Sequence, residues 1–514
     1  MPDAVVVGSG PNGLAAAITL ARAGRSVLVV EAADTVGGGT RSAELTLPGF
    51  VHDVCSAIHP LAKASPCFAE LPLEEHGVEF VEPPAPLAHP LDDGSAVLLE
   101  RSVDQTAAGL GPDAEAYRKL MAPLVERSDQ LQPLLLGYRP IPRRPIFTAR
   151  FGLLALRSAV GLAKRFKGQR AKALFAGLAA HSIQDLHRSP TASFGLVLAL
   201  FGHRHGWPLV RGGSQQLADA LAAHLRSLGG EIQLGAQVDS VDELPDSDVK
   251  ILDVTPRQLL RIAGHRLPGR YIRALRRYRY GPGVFKVDWA LDGPVPWAAD
   301  ECRRAAVVHV GDTVTAMSRA AWEAGHGLLP AKPTLVLGQQ SLADPSRAPA
   351  GKHTLWGYAH VPARPSGDAA RPRAKGDWDR SAEAFLDRME AVIEGHAPGF
   401  RDRVLGRKVW TPDDLQAADA SLVGGDIQAG SFAIDQQLLF RPGPSWWRWG
   451  TPVKGLYLAG ASVPPGAGVH GACGDLAGRQ ALADAERPRV LAVAAATGAG
   501  LAAGLLAARR SRRR

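Results

Sequence analysis

The sequence predicts an α/β chain whose first forty residues build a parallel, nucleotide-type βαβ unit, with a second kind of sheet threaded through it later. Three observations carry this. Ala4 to Val7 is a short apolar run, as expected of a strand buried on both faces of a parallel sheet. Gly8, Gly10 and Gly13 make a G-x-G-x-x-G turn that opens onto the apolar stretch Leu14 to Ala23. Ser26 to Val30 then rebuilds a strand and ends on an acid, Glu31, 18 positions past Gly13.

Each part of that unit has a job. The first glycine permits the tight turn, the second lets a pyrophosphate approach the backbone, and the third lets helix pack on strand. Ser9 and Asn12 fill the turn between them. Leu14 to Ala23 is apolar enough for a buried helix, with Gly24 as its left-handed cap. Glu31 is placed to accept hydrogen bonds from a ribose. A glycine-rich turn alone also arises for steric reasons; strand, helix and acid together predict a dinucleotide site. The next cluster, Gly37 to Gly39 with Thr40 and Arg41, brings a cation toward the same pyrophosphate.

Pro48 to Asp53 then returns the chain toward the site. Val78 to Val81 and the turn Asp92-Asp93-Gly94 before Ala96 to Leu99 predict sheet of another domain. From Ser102 to Ser182 the pattern is helical, broken by prolines at 133, 140, 142 and 145. The nucleotide domain resumes near Val210: Arg211-Gly212-Gly213-Ser214 precedes a helix with Leu217, Leu221, Leu225 and Leu228 on one side, closed by Gly229-Gly230. Glu231 to Val241 alternates like a strand pair, and Val249 to Val254 reads as a buried strand. Val284 to Leu291, Ala306 to Val310, Thr334 to Gln340 and Thr354 to His360 predict the sheet of a substrate domain. Pro362 to Lys375 is a surface loop. Gly455 to Gly460 is the last buried strand. Gly466, Gly468 and Gly471 repeat the glycine spacing without a ribose acid on a following strand, so they read as a helix start. Such an N-terminus carries about half a positive charge and would face the cofactor's ring.

Gly8 to Gly13, Gly37 to Ser42, Pro48 to Asp53, Gly212-Gly213, Asp344 to His353, Gly424-Gly425-Asp426 and Gly455 to Gly471 together resemble the phytoene desaturase-like FAD-dependent oxidoreductases of the amine-oxidase superfamily. Within it the likeness is to the branch that includes pyridine nucleotide-disulfide oxidoreductase domain-containing protein 2, and it runs to about residue 486. The resemblance implies a Rossmann-like FAD-binding domain (1–85, 206–265 and 424–486) and an interleaved α+β substrate domain (86–205 and 266–423). It implies one non-covalent FAD held by Gly8, Ser9, Gly10, Asn12, Gly13, Glu31, Gly38, Thr40, Arg41, Val238, Gly460, Ala461, Gly468 and Val469. In the resembling flavoproteins a strand at Val238 clamps the adenine through backbone groups; an ordinary helix–strand unit is the alternative there. Ser462 stands where many relatives place an acid.

The chemistry implied is desaturation or isomerisation of a hydrophobic, isoprenoid- or polyene-like substrate, by hydride transfer to flavin N5. No metal is required. His470 and His52 are the candidate catalytic groups beside the ring; a loop staple is the alternative for His52 and Asp53. The competing readings are an amine or other small-molecule oxidase of the same fold, and a flavin-bound interaction protein with little turnover. Aromatic residues are 6% of the chain, which offers little material for an aromatic cage around an amine. Trp446, Trp447 and Trp449 read as plain packing residues, with an apolar pocket or an interface as the alternative.

Charge and cysteines bear on location. Cys55, Cys67, Cys302 and Cys473 form no C-x-x-C pair, so neither a redox dithiol nor a thiolate zinc site is expected. They suit a reducing, cytoplasmic setting, and no signal peptide precedes the first strand. The net charge of +9 is local. Ten Lys and Arg and no acid lie between Arg139 and Lys172, and seven more between Arg487 and Arg514; without these seventeen, 42 basic residues face 50 acidic ones. Nucleic acid is not expected, because no binding motif accompanies the charge. An anionic membrane surface is. Phe151, Leu153, Leu154, Leu156, Val160, Leu162 and Phe166 would supply its apolar contact in the segment 139–172; a solvated basic face over an ordinary core helix is the alternative. The C-terminal apolar helical tail, 487–514, contains 19 uncharged residues from Val490 to Ala508, near the roughly 20 that span a bilayer. It reads as a weak anchor, an interfacial helix or a disordered extension. Its Gly500 and Gly504 would allow two copies to pair as a homodimer.

Overall fold

The computed structural model describes residues 1–138, 141–371, 377–437, 440–443 and 449–486. Trp446, Trp447, the first two residues of the basic segment, the end of the 362–375 loop and the whole 487–514 tail lie outside the described residues.

The parallel sheet expected from the glycine turn has five strands. In order across the sheet they are Leu456–Leu458, Val249–Leu252, Ala4–Val7, Val27–Val30 and Glu231–Gln233. All four pairings are parallel. The sequence explains the order: the most apolar run, Ala4–Val7, is buried along its length and takes a central place. The helix Pro11–Arg22 starts directly from the turn, and Gly24 has φ +77° as its closing residue. Against it lies the C-terminal helix 472–486. A Cβ on Gly474 would sit 1.7 Å from the Asn12 carbonyl oxygen, so only glycine permits that approach.

The second sheet has seven strands: Val404–Trp410, Gly283–Leu291, His353–Val361, Leu335–Gly338, Ala305–Val310, Ala85–Pro90 and Ala96–Leu99. It is antiparallel except where Ala305–Val310 runs parallel to Ala85–Pro90. One face packs Trp289, Phe285 and Leu337 against the helix Trp378–His396. The other carries Val307, Val336, Trp356 and Tyr358 and packs under the helices of 103–205, among them Gln169–Ala180 and Ala192–His205.

Several expectations need correction. Glu231 to Val241 is not a strand pair: only Glu231–Gln233 pairs, and the chain then turns away, with Gly235 N–H bonded to the Ala33 carbonyl at 2.9 Å. Alternation there reflects a half-exposed edge strand followed by loop. Val78 to Val81 shrinks to Phe80–Val81, paired with Leu209–Val210. Of the side chains expected to face a membrane, Phe151, Leu162 and Phe166 are buried in the helical core. Leu153 and Leu156 are exposed, joined by Ile141 and Ile146. Among the described residues no helix is long and apolar enough to cross a membrane.

Candidate functional site

One cavity of about 860 Å³ runs from the C-terminal ends of the parallel strands to the helix-covered face of the seven-stranded sheet. Gly8, Gly10, Asn12, Glu31, Gly38, Thr40, Arg41, Val238, Gly460, Ala461, Gly468 and Val469 all line it. Residues up to 461 positions apart in sequence, Gly8 and Val469, are thus brought to one wall. Ser9 and Gly13 lie behind that wall. Gly13 cannot be otherwise: a Cβ there would meet the Gly8 carbonyl oxygen at 2.0 Å.

Glu31 lines the cavity, but protein groups already hold its carboxylate. Ser9 donates to Oε2 through both N–H and hydroxyl at 2.7 Å, and Ala33 N–H donates to Oε1 at 2.8 Å. The acid therefore fastens the glycine turn to the end of the second strand. Arg41 donates to the Gly38 carbonyl at 2.9 Å and to the Ala418 carbonyl at 2.6 Å, pinning its loop to the segment 417–422.

Two acids that sequence reasoning passed over complete this end. Asp253 follows the strand Val249–Leu252 and accepts from Gly13 N–H at 2.8 Å. Burial, with help from Asp419 and Glu31, pushes its pKa up to about 7. Burial also raises Asp419, which Arg41 opposes. Asp253 had a signal, an acid at the end of the strand beside the glycine turn; Asp419 sits in a loop and had none.

The two candidate catalytic histidines do not reach the cavity. His52 is buried on the hairpin strand Val51–Asp53, its Nε2 bonded to the Thr46 hydroxyl at 2.9 Å and its Nδ1 3.7 Å from Asp288. Burial, then the Lys286 and Arg347 charges, hold its pKa down at about 3. His470 is turned back on its own loop: Nδ1 accepts from Ala472 N–H at 3.0 Å and Nε2 donates to the Gly466 carbonyl at 3.2 Å. Asp53 is a staple, accepting from Ser42, Ser214 and Arg347, whose guanidinium lies 2.7 Å away and equally buried. Ser462 donates to the Ala429 carbonyl at 2.9 Å instead of facing the cavity. Trp449 donates to the Pro464 carbonyl at 2.7 Å and packs in the core.

The imidazoles that do face the cavity are His59 and His181. Phe194, Leu198, Trp207, Val307, Val336, Trp356, Tyr358, Ile427 and Phe432 complete the far end. Among the described residues the lining carboxylates are Glu31, Asp253 and Asp419, and all belong to the glycine-turn end. The chain is poor in aromatics on average and rich in them here.

These residues suit an FAD. The turn leaves backbone open where a pyrophosphate approaches, since Gly8 has φ +98° and Gly13 has no room for a side chain. The Asn12 Oδ1, buried at the cavity wall, has no protein partner. Asp253 is largely neutral below pH 7 and does not repel an anion there.

The flavin-containing amine oxidoreductase family matches residues 12–475. The chain is 27% identical to pyridine nucleotide-disulfide oxidoreductase domain-containing protein 2 of Mus musculus, over 92% of each. It is 26% identical to the neurosporene-forming phytoene desaturase of Rhodobacter capsulatus, over 96% of each. Its fold is similar to that of an oxidoreductase from Methanosarcina mazei, with a TM-score of 0.63, 16% identity, and 93% of this chain and 99% of that one covered.

Proposed function

This chain belongs to the flavin-containing amine oxidoreductase family and is an FAD-dependent oxidoreductase, and from that premise we propose that it desaturates a hydrophobic, isoprenoid- or polyene-like substrate. The bound FAD supplies the two-electron oxidation by accepting a hydride. Gly8 to Gly13, Arg41 and the Glu31 loop would hold its pyrophosphate and ribose, Val238 its adenine side, and Gly460, Ala461, Gly468 and Val469 the remainder of the cofactor wall. The 1–85, 206–265 and 424–486 segments would form the cofactor domain, and the seven-stranded sheet with its helices the substrate domain.

The observation that carries the substrate class is the distribution of charge along the cavity. Among the described residues no carboxylate lines its far end, where rings and aliphatic side chains make the wall. An ammonium substrate would lose its hydration there without a counter-charge, which is costly; an apolar chain gains from the same burial, at roughly 25 cal/mol per Å². Excluding water is the wall's contribution to the chemistry. A test uses a non-absorbing isoprenoid, squalene, and follows quenching of tryptophan fluorescence, since Trp207 and Trp356 line the cavity. Saturable quenching is expected, weakened at least about tenfold by Val336→Asp. A response to spermidine and none to squalene would contradict the reading.

The same substrate class gives the basic segment a purpose. Lys119, Arg127, Arg143, Arg144, Arg150 and Arg165 line a surface cleft together with Ile146, which is exposed, as are Ile141, Leu153 and Leu156 of the same segment. We place an anionic membrane surface against this face, from which an apolar substrate would be drawn.

A further inference from the structure

We propose that His181, His309 and His89 form an internal proton path from the apolar end of the cavity to the surface beside Asp312 and His396, with His181 taking the proton that a substrate loses.

His181 caps the helix Gln169–Ala180 and lines the cavity. Its Nε2 lies 2.9 Å from the Nε2 of His309, so one of the two nitrogens carries a hydrogen and the other accepts it. His309 sits on Ala305–Val310 and His89 on the neighbouring parallel strand; Val308 pairs with Ala88, which puts the two imidazoles side by side. Both are buried, with 1% and 0% exposure. Neither Nδ1 has a protein partner, the other Nδ1 included, nor has the His89 Nε2, so the step between the two rings would be carried by a bridging water; both Nδ1 atoms lie beside Gly177. A Cβ on that residue would lie 2.8 Å from one and 3.1 Å from the other, so the absence of a side chain leaves both nitrogens open to the same small space. Beyond His89 the charges of Asp312 and His396 are felt, the first favouring its protonation and the second opposing it. Asp312 is 3.1 Å from Lys332, and His396 is 3.8 Å from the exposed Asp92 at a surface pocket. The path thus has an inner end at the cavity and a covered middle, and the charged groups nearest its outer member lie toward the surface.

Desaturation removes two hydrogens from adjacent carbons. One leaves with both electrons as the hydride accepted by the flavin; the other leaves as a proton, and its bonding pair becomes the new π bond. His181 takes that proton on its free ring nitrogen and releases the one on Nε2 to the Nε2 of His309, which gives up its Nδ1 proton through a bridging water to His89 and on to solvent. Burial holds His181 and His89 at pKa values of about 4 and His309 well below the ordinary range. None stays charged at neutral pH, so a proton received is handed on. Among the described residues no group of three or more His, Cys, Asp or Glu is arranged to hold a metal ion. The substrate's part in this rests on the desaturation reading; the path itself does not.

The experiment therefore uses no substrate. The FAD-loaded full chain is reduced anaerobically in weak buffer with electrochemically reduced methyl viologen, which gives up electrons and no protons, and proton uptake from solvent is followed with an indicator dye. Uptake should slow at least about tenfold in both His309→Phe and His309→Gln, with FAD content unchanged. Gln keeps a hydrogen bond to His181 but cannot take up and pass on a proton, so restoration by Gln would mean packing alone and would overturn the path. Unchanged uptake in both variants would do the same. A second readout needs no flavin chemistry: in ¹⁵N-histidine-labelled protein, one protonated Nε2 should couple to one unprotonated Nε2 across the bond. Absence of that coupling, or stoichiometric metal lost on His309→Gln, would also overturn it.

Discussion

Asp253 shows how much one residue's surroundings decide. In an unfolded chain its carboxyl would ionise near 3.8, and in the fold burial moves that to about 7. The folded state therefore holds the proton more tightly, and the stability this contributes is complete below pH 3.8 and lost as pH rises to about 7. The same ionisation places a negative charge behind Gly13, where the pyrophosphate is expected. FAD affinity should accordingly fall as pH rises through 7, by at most about tenfold per pH unit. Asp253→Asn, which can still accept from Gly13 N–H, should flatten that dependence. Fluorescence titration of FAD from pH 6 to 9 checks it; parallel pH profiles for the two proteins would exclude Asp253. At this scale the sequence was legible where backbone geometry dictates the residue, as at Gly8 and Gly13. It was silent where a side chain's direction decides. His52 and His59 are seven positions apart, and nothing in their local sequence says that only the second lines the cavity. His181 and His309 are 128 residues apart and meet only because a helix end lands on a strand face.

Between elements, glycine sets how closely helices approach. The helix 472–486 meets Pro11–Arg22 at Gly474 and Gly478, where added methyls would find Asn12 carbonyl oxygen at 1.7 Å and Thr19 Cβ at 3.1 Å. Gly474→Ala must push the two helices apart. Overpacking of this kind costs about 1–3 kcal/mol or more, and here the strain falls on the residue after the glycine turn's Pro11. Thermal unfolding should show a lowered midpoint together with reduced FAD retention, whereas Gly395→Ala, with open space around it, should leave retention unchanged. Loss of stability with full retention of FAD would uncouple this helix pair from the site. Strands were easier to foresee than the loop after Gln233, because alternation of apolar and polar residues is the same for an edge strand and for the half-buried loop that follows it. The Asp53–Arg347 pair explains two motif segments that had no chemistry of their own: they close the fold across 294 residues.

At the scale of the molecule, two sheets with different rules share one cavity, and the sequence revealed both sheets before it revealed the cavity. The parallel strands announce themselves by short apolar runs and glycine; the seven-stranded sheet by alternation. Their meeting line depends on how helices 103–205 cover one face, which no local pattern encodes. Every residue proposed to hold the FAD lies within the described residues, so deleting 487–514 should leave FAD content unchanged and lower co-sedimentation with liposomes of anionic lipid. The basic cleft predicts that part of the co-sedimentation survives deletion and disappears at high salt, since exposed charges more than about 10 Å apart are screened at 0.1 M. Binding indifferent to lipid charge and to salt would remove the cleft from the membrane contact.

The central claim, an FAD enzyme that oxidises an apolar substrate in the far end of this cavity, is tested most directly by anaerobic single-turnover reduction. The FAD-loaded protein is mixed without oxygen with an acyclic isoprenoid in detergent or, separately, with spermidine, and the flavin absorbance band is followed. The account predicts bleaching by the isoprenoid, a product lighter by two hydrogens, and no response to the amine. Bleaching by the amine with an aldehyde as product, and none by any isoprenoid, would contradict it.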